Sequence, residues 1–228
     1  GGANVAIGLD TLQANTTASN NTAVGYQAGY SNTTGHSNTS VGKGAFYTNT
    51  TGNENNAFGF QALYSNTTGS TNTALGRNTL YTNTTGSQSV AVGNNSLYYN
   101  TTGGNNTAVG YLALTANTTG TRNVAIGHTS LNSNTTASYN TALGFRGLFS
   151  NTTGASNVGL GYQALDANTS GSNNVAIGRD ALVLSTTASN NTAVGFEAGL
   201  SNTTGTENTF IGGRAGTATT TGGNNTFV

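Results

Sequence analysis

The hydrophobic residues of this chain recur every 17 residues, in phase with polar residues that recur at the same spacing. The repeated unit is a pentad of the form Asn-x-Ala-aliphatic-Gly, and positions 1 to 17 are counted here from its first residue. The pentads begin at Asn4, Asn21, Asn38, Asn55, Asn72, Ser89, Asn106, Asn123, Asn140, Asn157, Asn174, Asn191 and Asn208, and a further copy begins at Asn225. Such strict phase indicates stacked repeats rather than a disordered polar tract.

The pentad predicts one short β-strand in every repeat. Position 4 is always a large apolar residue, such as Ile7 or Val24, and position 2 is Val or Thr except at Asn56. Since side chains alternate across a strand, positions 2 and 4 share one face and the small position 3 lies on the other. We expect position 4 to be buried, because β-branched apolar residues favour strands that pack against a core. The pairs at positions 8 and 9, such as Ala113-Leu114, predict a second short strand or a bend.

Position 5 is glycine in every full repeat, which predicts a structural corner. A residue without Cβ is needed where φ is positive or where two backbones approach closely. The predicted corner residues are Gly8, Gly25, Gly42, Gly59, Gly76, Gly93, Gly110, Gly127, Gly144, Gly161, Gly178, Gly195 and Gly212.

Positions 12 to 15 read Asn-Thr-Thr-Gly in most repeats, as in residues 32–35, and predict a turn between successive coils. Helix is improbable throughout, because Asn, Thr and Gly are poor helix formers. The Asn residues at position 1 are expected to form a ladder of amides that are hydrogen-bonded from repeat to repeat. Ser89 is the one expected break in that ladder.

These features together predict an all-β parallel β-solenoid with one 17-residue coil per repeat and thirteen full repeats. Residues 1–228 are expected to form a single array, truncated at both ends of a longer chain. One coil offers about three apolar side chains, worth roughly 1.5 to 3 kcal/mol each when buried, against about 1.5 kcal/mol for ordering each residue. A single repeat is therefore unfolded, and we expect a second apolar stripe to be covered by other copies of the chain.

Composition argues against several classes of function. Six Lys and Arg balance six Asp and Glu, so no electrostatic attraction to nucleic acid is expected. Cysteine is absent, which excludes disulfides and thiolate metal sites in this segment. No apolar run approaches the roughly 18 residues of a spanning helix, so membrane insertion is not expected.

The sequence predicts no catalytic, metal or cofactor site, and the segment is not expected to be an enzyme. His36 and His128 occupy different positions of the repeat and have no cluster of carboxylates near them in sequence. The acidic residues are scattered, without the regular spacing of calcium-binding repeats. They are Asp10, Glu54, Asp166, Asp180, Glu197 and Glu207.

Two sets of residues are candidates for surface recognition. Aromatic residues at position 10 would form a column that binds glycans or a protein partner, or that only covers the coil corners or a seam between chains. This candidate aromatic surface comprises Tyr30, Tyr47, Tyr64, Tyr81 and Tyr98. Position 12 starts Asn-x-Ser/Thr sequons that would accept glycans in a suitable host, or whose Asn and Thr serve turns and ladders. The candidate acceptors are Asn15, Asn32, Asn49, Asn66, Asn83, Asn100, Asn117, Asn134, Asn151, Asn168 and Asn202.

The pentads resemble repeats of known fibrous proteins over the whole chain. Asn4-Val5-Ala6-Ile7-Gly8 and Asn123-Val124-Ala125-Ile126-Gly127 look like the Val-Ala-Ile-Gly motif of trimeric autotransporter adhesin heads. The longer string in residues 106–120 is similar to repeats of bacterial and phage tail-fibre-like proteins. The resemblance implies a left-handed parallel β-roll in which three chains pack their apolar faces together. The coil here is a few residues longer than in the adhesin heads.

We therefore expect a non-enzymatic structural repeat region of an extracellular fibre, adhesin or phage-type tail fibre that presents a binding tip or surface. The expected partners are copies of the chain, as a homotrimer or filament, and a cell-surface receptor or glycan. The expected location is extracellular, on a cell or virion surface. The alternatives are a monomeric solenoid whose Thr/Asn face, beginning with Thr16, Thr33 and Thr50, binds ice or carbohydrate, and a self-polymerising extracellular filament.

Overall fold

A computed structural model describes residues 2–228, which contain fourteen short β-strands and no helix. The strands are β1 Val5–Ile7, β2 Thr22–Val24, β3 Thr39–Val41, β4 Asn56–Phe58, β5 Thr73–Leu75, β6 Val90–Val92, β7 Thr107–Val109, β8 Val124–Ile126, β9 Thr141–Leu143, β10 Val158–Leu160, β11 Val175–Ile177, β12 Thr192–Val194, β13 Thr209–Ile211 and β14 Thr226–Phe227. Turns and bends occupy the rest of each repeat.

The chain divides into two compact units, residues 1–119 with β1 to β7 and residues 120–228 with β8 to β14. In each unit, every strand pairs in parallel with the next strand along the chain. The register is one full repeat: Val5 lies opposite Thr22 in the first unit, and Val124 lies opposite Thr141 in the second. Equivalent positions therefore stack in columns, and the prediction of an all-β parallel solenoid with 17-residue coils is confirmed.

The strand faces are the reverse of what the sequence suggested. Ala108 at position 3 is fully buried, whereas its neighbours Thr107 and Val109 are only half-buried. The prediction that position 4 is buried is thus wrong within a single chain: Leu143 is 47% exposed and Ile126 is 37% exposed. The interior of a 17-residue coil is too narrow for a large side chain from the strand, so the small residue faces inward and the large one faces outward.

In most coils the interior is built from two small residues, one leucine and two asparagines. Alanines at positions 3 and 8, such as Ala108 and Ala113, have no exposed surface, and neither has the position-9 Leu114. Asparagines at positions 1 and 12, such as Asn106 and Asn117, are also buried. Two of these five interior positions are therefore polar, and the stability of the coil depends on satisfying their amides with hydrogen bonds.

Three residues in each coil adopt left-handed backbone conformation, which the sequence did not reveal. They occupy positions 7, 9 and 17, as in Asn95 (φ 57°), Leu97 (φ 50°) and Asn105 (φ 59°). A leucine in this region is uncommon, because Cβ approaches the following carbonyl at a cost of roughly 1–2 kcal/mol. Full burial of Leu97 offsets that cost. The chain turns at positions 8 and 9, where the second strand does not form.

The glycines at position 5 combine positive φ with close backbone contact. Their φ values run from 116° at Gly212 to 141° at Gly161. A Cβ on Gly93 would lie 2.5 Å from the carbonyl oxygen of Gly110 in the next coil, and one on Gly144 would lie 2.5 Å from that of Gly161. No side chain fits at such a separation, so the coils can stack at this corner only through glycine.

Larger core residues are balanced by glycines in neighbouring columns. Phe210 replaces the usual alanine at position 3 and is fully buried. Position 9 is glycine at Gly199 and Gly216, and a Cβ on either residue would collide with the Phe210 ring, at 2.9 Å in the case of Gly199. The phenyl ring thus fills the space that leucines occupy in other coils, which keeps the core volume constant.

Candidate interaction surfaces

The outward face of the strands carries an uninterrupted column of large apolar side chains in each unit. We call positions 2 and 4 of the strands the sheet face. In the first unit Phe58 is 38% exposed and Leu75 is 48% exposed, and in the second Leu143 is 47% exposed and Ile177 is 38% exposed. Position 2 adds half-buried Val or Thr, such as Val175. A row of half-buried and exposed apolar side chains, one from each coil, is an apolar surface without a partner inside the chain.

A column of aromatic and cationic side chains at position 6 borders the sheet face. Tyr26 and Phe60 are 43% and 39% exposed, and Lys43 and Arg77 lie over their rings at 5.8 and 5.7 Å from the ring centroids. In the second unit Arg179 lies over both Tyr162 and Phe196, at 5.5 and 5.9 Å. Cation–π contacts of this kind hold long side chains along the edge of the face.

The tyrosines at position 10 form a continuous stack in the first unit. The rings of Tyr30, Tyr47, Tyr64, Tyr81 and Tyr98 follow one another at centroid distances of 4.9, 5.0, 5.2 and 5.1 Å, with interplanar angles of at most 12°. Each inner ring therefore has both faces covered by its neighbours, so binding of a glycan through the ring faces is restricted to the ends of the stack. Burial, followed by the neighbouring tyrosines, raises the pKa of Tyr64 and Tyr98 above the ordinary tyrosine value.

Two ladders of buried asparagines run through the coils. At position 1, Asn21 Oδ1 accepts the backbone N–H of Asn38 at 2.9 Å. At position 12, Asn66 Nδ2 donates to Asn49 Oδ1 at 3.0 Å. Ser89 does not break the first ladder: its N–H donates to Asn72, and its Oγ accepts the N–H of Asn106 at 3.2 Å. The expected break is therefore wrong, because a serine hydroxyl supplies the same acceptor as the amide oxygen.

The position-12 asparagines do not offer accessible glycan acceptors in the folded chain. From Asn32 to Asn202 each has at most 1% of its surface exposed, and Asn15 in the first coil is half-buried. Asn100 Nδ2, for example, donates to Asn83 Oδ1 and to Gly103 O at 2.7 and 2.9 Å. In the ten residues from Asn32 to Asn202, the side chain whose amide nitrogen would carry the sugar is buried in the folded chain, which opposes glycosylation there; for the half-buried Asn15 the acceptor role stays a prediction. The reading that they serve turns and ladders agrees with these bonds.

Threonines form two columns beside this ladder. The position-13 hydroxyls donate to the carbonyl of the equivalent residue in the next coil, as from Thr33 to Thr50 at 2.9 Å and from Thr67 to Thr84 at 3.0 Å. Because these hydroxyl groups donate their hydrogen bonds within the chain, the position-13 column does not present free hydroxyl donors. The position-14 threonines, such as Thr34 and Thr68, are exposed.

One cleft lies where the repeat pattern changes, and sequence reasoning did not identify it. It has a volume of about 280 Å³ and is lined by Asn78, Asn95, Tyr98, Tyr99, Leu112 and Thr115. The tyrosine stack ends here because position 10 of the next coil is Thr115. Tyr99, the only aromatic residue at position 11, is the signal in the sequence that would have drawn attention to it.

The charged residues form isolated pairs rather than a reactive cluster. Arg146 makes a bidentate bond to Asp166, with Nε–Oδ2 and Nη2–Oδ1 distances of 2.7 and 2.9 Å, and this bond raises the pKa of Arg146. Within residues 2–228, no three His, Asp or Glu side chains lie close enough together to hold a metal ion. The same residues include no helix long and apolar enough to cross a bilayer.

Comparisons with models of protein families, with curated proteins and with solved structures find no match to this chain. Function is therefore inferred from the surfaces of the chain and not from a relative.

Proposed function

We propose that the chain is a non-enzymatic structural repeat region of an extracellular fibre, adhesin or phage-type tail fibre, in which copies pack through the sheet face as a homotrimer. The observation that carries the proposal is the column of large apolar side chains at position 4. These side chains are half-buried or exposed in every full coil, and Phe58, Leu75, Leu143 and Ile177 are among the exposed ones. The likeness of the pentads to trimeric adhesin heads supports the same arrangement.

The size of the sheet face is that of an apolar interaction patch. Seven strands at a spacing of about 4.8 Å, each three residues of about 3.3 Å long, give roughly 330 Å² for the first unit. Contiguous apolar patches of several hundred Å² on soluble proteins often mark interaction sites. A specific interface buries about 800 Å² on each partner, so the sheet face of one unit supplies about two fifths of that area.

The periodicity of the face favours a second copy of this chain as the partner. Its side chains form ridges at the spacing of the coils, and a surface with the same spacing fits those ridges over many coils without losing register. Charge does not oppose contact between copies, since the net charge is zero and Lys43 and Arg77 lie over aromatic rings at the border. A cyclic trimer places equivalent coils of the three chains at the same height.

Sedimentation equilibrium tests the proposal with a matched pair of double variants. Leu143→Lys with Ile177→Lys introduces charges into the sheet face, and Thr153→Lys with Thr187→Lys places the same charges on the exposed position-14 column. We expect wild type and the threonine variant to sediment at three times the chain mass of 22.8 kDa. The sheet-face variant should sediment as a monomer, because burying an unpaired charge costs several kcal/mol. A monomeric wild type, or a trimeric sheet-face variant, would contradict the proposal.

The second candidate function is a monomeric solenoid that binds ice through threonines. The exposed column at position 14, which includes Thr34, Thr68 and Thr85, is the observation that favours it. The position-13 column does not add to it, because hydroxyls such as Thr33 Oγ1 donate to backbone carbonyls. We expect no thermal hysteresis from the wild-type protein, and hysteresis from a monomer that is lost in the Thr153→Lys, Thr187→Lys variant would favour this function instead.

A further inference from the structure

The cleft at the end of the tyrosine stack has no equivalent in the other coils, because two of its residues depart from the repeat. Position 10 changes from Tyr98 to Thr115, so no sixth ring continues the stack. Position 11 is a small or aliphatic residue in every other repeat but is Tyr99 here. A regular array binds through many equivalent weak contacts, whereas a unique cleft can bind one ligand specifically.

Tyr98 and Tyr99 form an aromatic corner in this cleft. Their ring centroids are 4.7 Å apart and their planes meet at 75°, and Tyr99 is 55% exposed. Burial, and then Tyr81 and Tyr99, raise the pKa of the Tyr98 phenol above its ordinary value. An exposed ring beside a second ring nearly perpendicular to it offers a flat apolar surface to a ligand ring, together with hydroxyl groups at the rim.

The cleft also contains side-chain amides without a partner. Asn78 Oδ1 and Asn95 Oδ1 are enclosed by protein atoms and accept no hydrogen bond, whereas the Nδ2 groups of the same two amides are not enclosed and donate no hydrogen bond to the protein. The Thr115 hydroxyl donates to the backbone carbonyl of Asn95 at 2.9 Å and not to either side-chain amide. An amide N–H group without an acceptor can donate to a ligand, so a ligand that supplies oxygen acceptors gains from meeting these two groups.

We infer that this cleft is a binding site for one saccharide ring. A sugar has an apolar C–H face that packs on an aromatic ring and hydroxyl oxygens that accept from amide N–H groups, which is the combination that Tyr99, Asn78 and Asn95 offer. The lining contains no Lys, Arg, Asp or Glu, so a neutral sugar fits better than an anionic one. Its volume of about 280 Å³ suits a single ring at the small end of ligand sites.

Saturation-transfer NMR with a panel of neutral methyl glycosides tests the site on the whole chain. We expect at least one glycoside to bind the wild type at millimolar concentration. Tyr99→Ala should weaken that binding by about three- to tenfold, the range expected for loss of one aromatic contact. Tyr139→Ala removes a similarly exposed tyrosine outside the cleft and should leave binding unchanged.

A second variant separates the side-chain amides from general damage to the fold. Asn95→Leu copies Leu112, which occupies the same repeat position with nearly the same φ, 56° against 57°. It should fold normally by circular dichroism and bind the glycoside at least about threefold more weakly, since it loses one hydrogen-bond donor. The inference is overturned if no glycoside binds the wild type, if Tyr99→Ala binds as well as Tyr139→Ala, if Asn95→Leu folds and binds like wild type, or if adenine, a flat aromatic ligand without a sugar, binds better than every glycoside.

Discussion

Replacing Asn66 by leucine is expected to lower the free energy of unfolding of the first unit by about 2–4 kcal/mol. Asn66 Nδ2 donates to Gly69 O and Asn49 Oδ1 at 2.9 and 3.0 Å, and Asn66 Oδ1 accepts from Asn83 Nδ2 at 2.8 Å. Leucine supplies none of these bonds. Each partner keeps one other hydrogen bond, to Asn55 Nδ2, Gly52 N–H and Gly86 O respectively, so the expected cost is that of three lost bonds at about 0.5–1.5 kcal/mol each.

Urea unfolding followed by circular dichroism measures this effect, with Thr68→Leu as the control. Thr68 lies two residues away and is exposed, so the same new side chain there should change the unfolding free energy by no more than about 0.5 kcal/mol. Equal midpoints for Asn66→Leu and wild type would show that the position-12 amides do not hold the coils together.

Replacing Gly93 by valine is expected to cost at least about 3 kcal/mol and to disrupt stacking of the sixth coil on the seventh. The φ of Gly93 is 120°, in a region that side chains rarely adopt at a cost of about 1–3 kcal/mol. In addition, Cβ would lie 2.5 Å from the carbonyl oxygen and 2.7 Å from the carbonyl carbon of Gly110, neither of which can move without separating the two coils.

Thermal melting of Gly93→Val beside Asn94→Val isolates this effect. Asn94 is the next residue and is exposed at position 6, where other repeats carry Tyr, Lys or Phe. A valine at this position should leave the melting temperature close to that of wild type. If Gly93→Val and Asn94→Val have the same melting temperature, the fold does not require glycine at this corner.

The period, the parallel stacking and the corner glycines follow directly from the sequence, because a residue that recurs in one phase must occupy one environment. The position-1 Asn ladder follows for the same reason, but the part that Ser89 plays in it does not. Sequence analysis read the serine as a break, but what the ladder needs at position 1 is an oxygen acceptor for the next N–H, which Ser89 Oγ supplies.

The face of the strand could not be deduced from alternation alone. Alternation shows that Thr107 and Val109 lie opposite Ala108, but it does not show which side encloses the core. The decisive quantity is the internal width of the coil, which depends on the left-handed residues at positions 7, 9 and 17. The sequence gives no sign of that conformation at Leu97, whose φ is 50°. Leucine suits this buried position but is not a residue type that favours left-handed backbone.

For the candidate recognition residues, too, the sequence pattern gave the spacing of the side chains but not how they pack. Their spacing correctly placed the tyrosines in a column, but rings about 5 Å apart cover one another's faces. Sequons such as Asn66 were visible as a motif, yet their burial depends on the direction in which position 12 points. The recurring positions of the sequence do not predict the cleft at Tyr99, because the cleft lies where the repeat changes.

The most direct test of the proposed assembly is the distance between equivalent coils of different copies. The chain contains no cysteine, so spin labels can be attached singly at His128→Cys or Arg179→Cys, both exposed at position 6 beside the sheet face and three coils apart. For a cyclic trimer packed coil to coil, double electron–electron resonance should give one short, narrow interchain distance that is the same at both sites. Absence of an interchain distance, or clearly different distances at the two sites, would contradict packing of equivalent coils through the sheet face.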